Sequence, residues 1–222
     1  MRKFWVVLGN DLRVEWHARD MMVSMITFVV LSVFLFDFAL TNSSVNIRKI
    51  FPGILWITFL FSGMVGIGKT FGREQVEEPL TGVGLAPGNN MAIFMAKLTM
   101  AWVMMAAVEV IAAPLDFLVW HEPWRGQWLD FGLVLAVGSV GIVGVGTLLS
   151  AITACVRAGD VLFPLLLMPL EVPVVIMAVQ ATRLILAPHE GSPWPWIRGL
   201  VAYDVIFLVL PMIMYDWMEG IW

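Results

Sequence analysis

The sequence predicts an all-α membrane protein of six transmembrane helices, and three observations carry that expectation. Of the 222 residues, 60% are hydrophobic and 14% charged, with a mean hydropathy of +0.87. A soluble domain is nearer half apolar and about a quarter charged. Six apolar runs each approach the length that a bilayer demands of a helix, about 20 residues. They lie at Met21–Leu40, Phe51–Gly68, Ala92–Val119, Leu129–Thr153, Val161–Leu186 and Leu200–Tyr215. Together they consume most of the chain and leave no room for a separate soluble domain. The connections are short, with the stretch from Lys69 to Met91 the main exception.

Residues 1–20 form a segment of their own. Early positive charge suggests a signal peptide, but Lys3, Asp11, Arg13, Glu15, Arg19 and Asp20 interrupt any apolar core, and no small-residue cleavage site follows. Trp5, Leu8, Leu12 and Trp16 recur at helical spacing, with Lys3, Asn10, Arg13 and His17 largely opposite. That pattern predicts an amphipathic helix lying in the cytoplasmic interface; the plainer alternative is a charged lead-in. Residues 21–222 then form the membrane domain, with a candidate coupling loop at 69–91.

Orientation follows Lys and Arg rather than net charge. With the N-terminus inside, Arg2, Lys3, Arg13, Arg19, Lys69, Arg73, Lys97 and Arg157 face the cytoplasm, and an even number of spans returns the C-terminus there. Trp120, Trp124 and Trp128 cluster at the second outer loop, and Trp194 and Trp196 at the third. Belt anchoring is the bland reading of these indoles; a porphyrin-stacking surface is the sharper one.

Two runs have irregular chemistry. In the fourth, Gly138, Gly141 and Gly144 recur every third residue along roughly one face, where another helix can pack closely. The fifth contains Pro164, Pro169 and Pro173, each lacking a backbone donor, which predicts a kinked or broken helix.

Gly63 to Thr70 fits the pattern of a phosphate-binding P-loop, G-x-x-x-x-G-K-[ST]. A working P-loop needs a strand before its glycine turn and a helix after it. Phe51–Phe61 passes locally for a buried strand, yet Pro79 follows within a few turns, no alternating strand and helix series follows, and no apolar run ends in a magnesium-binding Asp. The glycines read better as small residues near the inner end of a span. After them come Arg73, Glu74, Glu77 and Glu78, then Leu80, Val83 and Leu85 before Ala86–Pro87. This is either a solvated connection or a short amphipathic element that docks in a groove of a cytoplasmic motor protein.

Composition excludes several function classes. A net charge of −4 argues against a nucleic-acid partner, which needs clustered Lys and Arg. Cys155 is alone, so the chain has no internal disulfide framework, no Cys-pair metal site and no C-x-x-C-H for covalent haem. No H-E-x-x-H, paired-Asp motif or Ser–His–Asp constellation stands out, so the chain is not expected to be an enzyme by itself.

Several stretches together resemble the CcmB family, membrane subunits of the ABC-type system for cytochrome c maturation. They are DLRVEWHARD at Asp11–Asp20, PGILWITFLF at Pro52–Phe61, the acidic loop ending LAP at Leu85–Pro87, VEVIAAP at Val108–Pro114, FPLLLMPLEVP at Phe163–Pro173 and AYDVIFL at Ala202–Leu208. The resemblance implies a six-span ABC-2-type subunit in the bacterial inner membrane with no ATPase of its own. It implies a CcmA-like ATPase on the cytoplasmic side, CcmC-like and CcmD-like membrane partners, and a CcmE-like periplasmic haem chaperone; a second copy of the chain is a further candidate. Haem would be handled by the complex and ATP bound by the partner, with no cofactor held firmly by this chain. The family tends to have Gly-x-Leu-Glu in the coupling loop where this chain reads Glu78-Pro79-Leu80-Thr81, and Glu171 stands where an apolar residue is expected.

Ionisable side chains inside a bilayer cost several kcal/mol when unpaired, so each is a candidate functional group. Glu109 lies well inside the third run and Glu171 inside the fifth; Asp37, Asp116, Arg183 and Asp204 lie nearer the outer surface. Glu109 and Glu171 are either protonated acids bonded to the backbone of a neighbouring helix or members of a polar pathway or subunit contact. Arg183 and Asp204 should reach similar depth and are expected to pair. His121 and His189 lie on outer loops, either simply solvated or within reach of a haem iron. Alternatives to the haem reading are an ABC-2 permease for another amphiphile, such as a lipid or drug, and an assembly subunit without a transport path.

Overall fold

The computed structural model describes residues 2–40, 46–77, 90–120, 128–154, 156 and 158–219. Its helices are α1 (Arg2–Ala18), α2 (Asp20–Leu40), α3 (Ile47–Glu77), α4 (Asn90–Val119), α5 (Trp128–Thr153), α6 (Gly159–Leu186) and α7 (Trp194–Glu219), with a single 3-10 turn at Pro188–Glu190 before α7. No strand occurs among the described residues. Helices α2 to α7 each contain a span long and apolar enough to cross a membrane. A chain without strand partners in lipid must satisfy its backbone within each segment, and helices do so.

The sixth span begins at Trp194, earlier than the apolar run alone suggests. Pro195 falls in the first turn of α7, where its missing N–H would have had no helical partner anyway, and the carbonyl of Pro193 accepts from the amides of Trp196 and Ile197. A second difference is at α6. Pro164, Pro169 and Pro173 all lie inside one helix, which is not broken. Next to the Pro169 carbonyl, deprived of its helical donor by Pro173, the Leu170 carbonyl accepts the Tyr203 hydroxyl at 2.7 Å. A neighbouring helix thus supplies a donor where the prolines loosen the ladder.

Helices α3 and α5 form the centre. The first packs against α2, α4, α5 and α6, the second against α3, α4, α6 and α7. Large apolar side chains stand outward on α2 (Leu31, Phe34, Leu35, Phe38), α6 (Val161, Leu165, Ile176) and α7 (Val201, Val205, Ile206). Water would not tolerate such a perimeter, whereas lipid wets it at no cost.

The glycines of α5 serve three neighbouring helices rather than one. Gly138 receives the Trp56 ring and Gly146 receives Ile67, both from α3. Gly141 lies instead against Asp204 and Val174, and Gly144 has only Leu208 in reach. The i, i+3 stripe drifts about 60° per step on a helix of 3.6 residues per turn, enough to pass from α3 to the α6/α7 side. Trp56 is fully buried, and its indole N–H donates to Thr182 Oγ1 at 2.8 Å, tying α3 to α6.

The P-loop lookalike is helical throughout, since Gly63 to Thr70 lie inside α3. Gly63 accommodates Met105 and Ile142, and Gly66 accommodates Met25. These glycines are contact points between helices, and Phe51–Phe61 is helix rather than strand.

Helix α1 forms as the sequence suggests, but its faces differ. Leu8 and Glu15 are buried, with Phe4, Val7, Asp11 and Leu12 partly so, and this face packs against α4. Trp5 and Trp16 point away, 68% and 71% exposed, where an indole meets the headgroup layer. The turn into α2 is sharp, with Arg19 at φ 53°. Glu15 Oε1 accepts from the amides of Met21 (2.8 Å) and Met22 (3.1 Å), so a side chain of α1 caps the start of α2. Glu15→Ala should therefore cost about 1 kcal/mol of stability, the usual worth of a lost cap. Thermal melting of the purified chain measures it, and Glu15→Gln, which keeps an acceptor, should lose less.

Candidate functional site

Two groups of buried polar side chains lie in the interior of the bundle, both near mid-span. The first belongs to α4 and α5. Glu109 is 3% exposed, a side-chain hydrogen bond joins it to Ser139, and its Oε1 has no partner. Ser139 Oγ also receives the Trp102 indole N–H at 3.2 Å. Of the two sequence alternatives for Glu109, a bond to a neighbouring helix matches what is seen, although its partner is a side chain rather than the backbone.

The second group belongs to α5, α6 and α7. Glu171 is fully buried on the inner face of α6, and Asp204 is 7% exposed on α7. The Tyr203 hydroxyl bonds the carbonyl of Leu170, next to Glu171, and Gly141 faces both Asp204 and Val174, about one turn along α6 from Glu171, which places the two carboxyls in one region. Both Glu171 oxygens and Asp204 Oδ1 lack a hydrogen-bond partner. A Cβ at position 141 would stand 2.9 Å from Asp204 Oδ1, so the glycine makes the room that the carboxyl occupies.

This placement corrects the expected pairing of Arg183 with Asp204. Arg183 Nη2 instead donates to Glu190 Oε2 at 3.0 Å. Arg183 is in the last turn of α6, and the chain doubles back at once through the 3-10 turn carrying Glu190. Asp204 lies ten residues into α7, about 15 Å of helix away from that end. The Arg183–Glu190 pair is about half exposed, and such pairs contribute at most about 1 kcal/mol. Arg183→Ala should thus lose no more stability than Lys49→Ala, as compared by thermal melting of the two variants.

His189 sits exposed in the 3-10 turn. His121 lies outside the described residues. So do Glu78, Leu80 and Leu85 of the coupling loop, while Arg73, Glu74 and Glu77 fall in the last turns of α3. Among the described residues no group of three or more His, Cys, Asp or Glu is placed to hold a metal. Trp128, Trp194 and Trp196 are exposed as belt residues would be, but Trp120 is buried.

Sequence reasoning passed over one constellation. Lys97 is almost wholly buried and pairs with Asp11 at 3.6 Å, joining α1 to the start of α4. Asp11 and Glu15, spaced i, i+4 on the same face as Leu8, interrupt a leader-like pattern; that spacing is the signal that could have marked them as inward-facing.

The sequence matches the family described as CcmB protein over residues 2–214. It is 27% identical over 178 residues to heme exporter protein B of Rhodobacter capsulatus, covering 80% of this chain and 81% of that protein. The corresponding protein of Paracoccus denitrificans is 26% identical over 178 residues, with the same coverage. That of Pseudomonas aeruginosa is 23% identical over 203 residues, covering 90% of this chain and 89% of its own.

Proposed function

Since the chain belongs to the CcmB family, we propose that it is the membrane-spanning subunit of an ABC-type haem exporter serving cytochrome c biogenesis. In this reading a separate CcmA-like ATPase binds and hydrolyses ATP, CcmC-like and CcmD-like subunits share the membrane, and a CcmE-like chaperone receives haem outside. The chain couples hydrolysis to haem export or to release of the loaded chaperone. It resides in the bacterial inner membrane with both termini in the cytoplasm. The observation that carries the reading is the family match, which reaches from α1 through all six spans.

The inner-face connection supports it. The apolar span of α3 ends at Gly68, yet the helix runs on to Glu77, about 13 Å beyond the hydrocarbon. A helical extension with Arg73, Glu74 and Glu77 on its last turns suits a lever that a motor domain can push. A flexible connection would absorb such a push without transmitting it.

Charge reversal at Glu74, Glu77 and Glu78 together should leave the chain in the membrane while weakening capture of the ATPase roughly tenfold or more, since like-charge juxtaposition in an interface costs several kcal/mol. Co-purification in mild detergent and haem staining of c-type cytochromes provide the readout. Unchanged capture with unchanged cytochrome content would refute the coupling role. Loss of other membrane phenotypes on deletion, with c-type cytochromes intact, would point instead to a permease for another amphiphile.

A further inference from the structure

The buried carboxyls of Glu171 and Asp204 have no part in the coupling reading. They are poorly compensated, as is Asp116 on α4, whose two buried oxygens also lack partners. Glu171 is wholly enclosed, with neither oxygen receiving a hydrogen bond, and Asp204 Oδ1 is likewise without a donor. Tyr203 beside them commits its O–H to the Leu170 carbonyl, leaving its oxygen lone pairs uncommitted.

Among the described residues no cationic side chain answers them. Asp130 is the only charged residue of α5, near its outer end. On α6 the only cation is Arg183, three turns away and bound to Glu190. On α7 the only cation among its residues is Arg198, which is exposed. From α3, which packs on both α5 and α6, the buried polar side chains are those of Thr58, Ser62 and Trp56, whose N–H goes to Thr182; none of them is cationic. Groups like these are retained in a membrane interior when paired, ligated or protonated.

We propose that Glu171 and Asp204, with the Tyr203 oxygen, form an intramembrane binding site for one small, hard monovalent cation of the alkali-metal class. Burial decides the size of the occupant. Glu171 is closed off by this chain alone, so a partner's side chain, a lipid headgroup or a porphyrin cannot reach it. The donor set decides the class. All donors are oxygen, with no His or Cys, which selects hard cations over zinc, copper or iron. Two carboxyls and one hydroxyl offer at most about five oxygens, fewer than the six to eight that calcium takes, and the enclosed position lacks the several waters that magnesium keeps. Gly141 leaves the opening in α5 that lets Asp204 turn inward. The donors lie on α6 and α7, so occupancy would hold those two helices together.

The test uses the purified full-length chain in detergent, melted by its intrinsic tryptophan fluorescence in choline chloride, then in sodium, potassium, lithium, calcium and magnesium chlorides at matched ionic strength. A ligand that binds only the folded state raises the melting temperature with its concentration. A rise of roughly several degrees is expected with at least one alkali cation over choline. Glu171→Gln and Asp204→Asn should each abolish that increment, whereas Glu190→Gln should keep it. Equilibrium binding of radioactive sodium or rubidium to the unaltered chain should approach one ion per chain, which decides the matter if either variant fails to fold. A melting temperature indifferent to alkali cations, a response to divalent ions alone, an increment that survives both variants, or no bound ion overturns the proposal.

Discussion

Trp56→Ala is expected to destabilise the folded chain by about 3–5 kcal/mol, the usual cost of removing a fully buried aromatic. Trp56 is 0% exposed, donates to Thr182 on α6, and meets Phe59 edge-on at 5.8 Å. Its six-membered ring fills the space that Gly138 leaves on α5. One side chain therefore holds three helices in register. In lipid the loss is chiefly of dispersion contacts and one hydrogen bond, because the tails outside are as apolar as the core. The converse change is also informative. Gly138→Ala drives a methyl into the ring and should cost about 1–3 kcal/mol. Trp56→Phe removes the atoms that collide, so Trp56→Phe combined with Gly138→Ala should lose less than the sum of the two single changes. Unfolding in mixed detergent micelles gives all four corners of the cycle, and strict additivity would show that the two residues do not touch.

Lys97→Met is expected to cost about 2–3 kcal/mol, below the 3–5 typical of a fully buried pair, because Asp11 keeps 21% of its side-chain surface exposed. The change removes the positive charge beside Asp11 while that carboxylate remains largely covered. Adding Asp11→Asn should restore a substantial part of the loss, since a neutral amide needs no counter-charge. The same pair anchors α1, so the single variant should also expose the first 20 residues to protease before the rest of the chain unfolds. Equal resistance of the variant and the parent would mean that α1 is held by its apolar contacts alone.

Five of the six spans were legible in the sequence to within two residues, and the sixth was legible as a span but begins six residues earlier than its apolar run suggests. The reason is that hydrocarbon imposes a local requirement: about 20 apolar residues in one self-satisfied helix. The rejection of the P-loop pattern was legible for the same reason, since no strand can stand alone at that depth. Helix α1 was legible as a helix, but its apolar residues misled about its faces. Near a membrane both sides of a helix can be apolar, one toward protein and one toward lipid, so periodicity does not say which is which. Leu8 turned inward and Trp16 outward from the same predicted stripe. The prolines of α6 left a kinked and a broken helix both open, and only the tertiary structure shows one continuous helix with the Tyr203 hydroxyl of α7 on the Leu170 carbonyl.

Composition and periodicity determined the class of molecule, the number of crossings and which ionisable residues enter the bilayer. Only the tertiary structure decided their surroundings: Arg183 pairs with Glu190, Lys97 pairs with Asp11, and Glu171 and Asp204 are both buried without a cationic partner among the described residues. The physical reason is that a span's length is set by the solvent around it, whereas a polar side chain's partner depends on helix rotation and depth. Those are set jointly by glycine gaps and bulky rings on other helices, and no single stretch of sequence contains them.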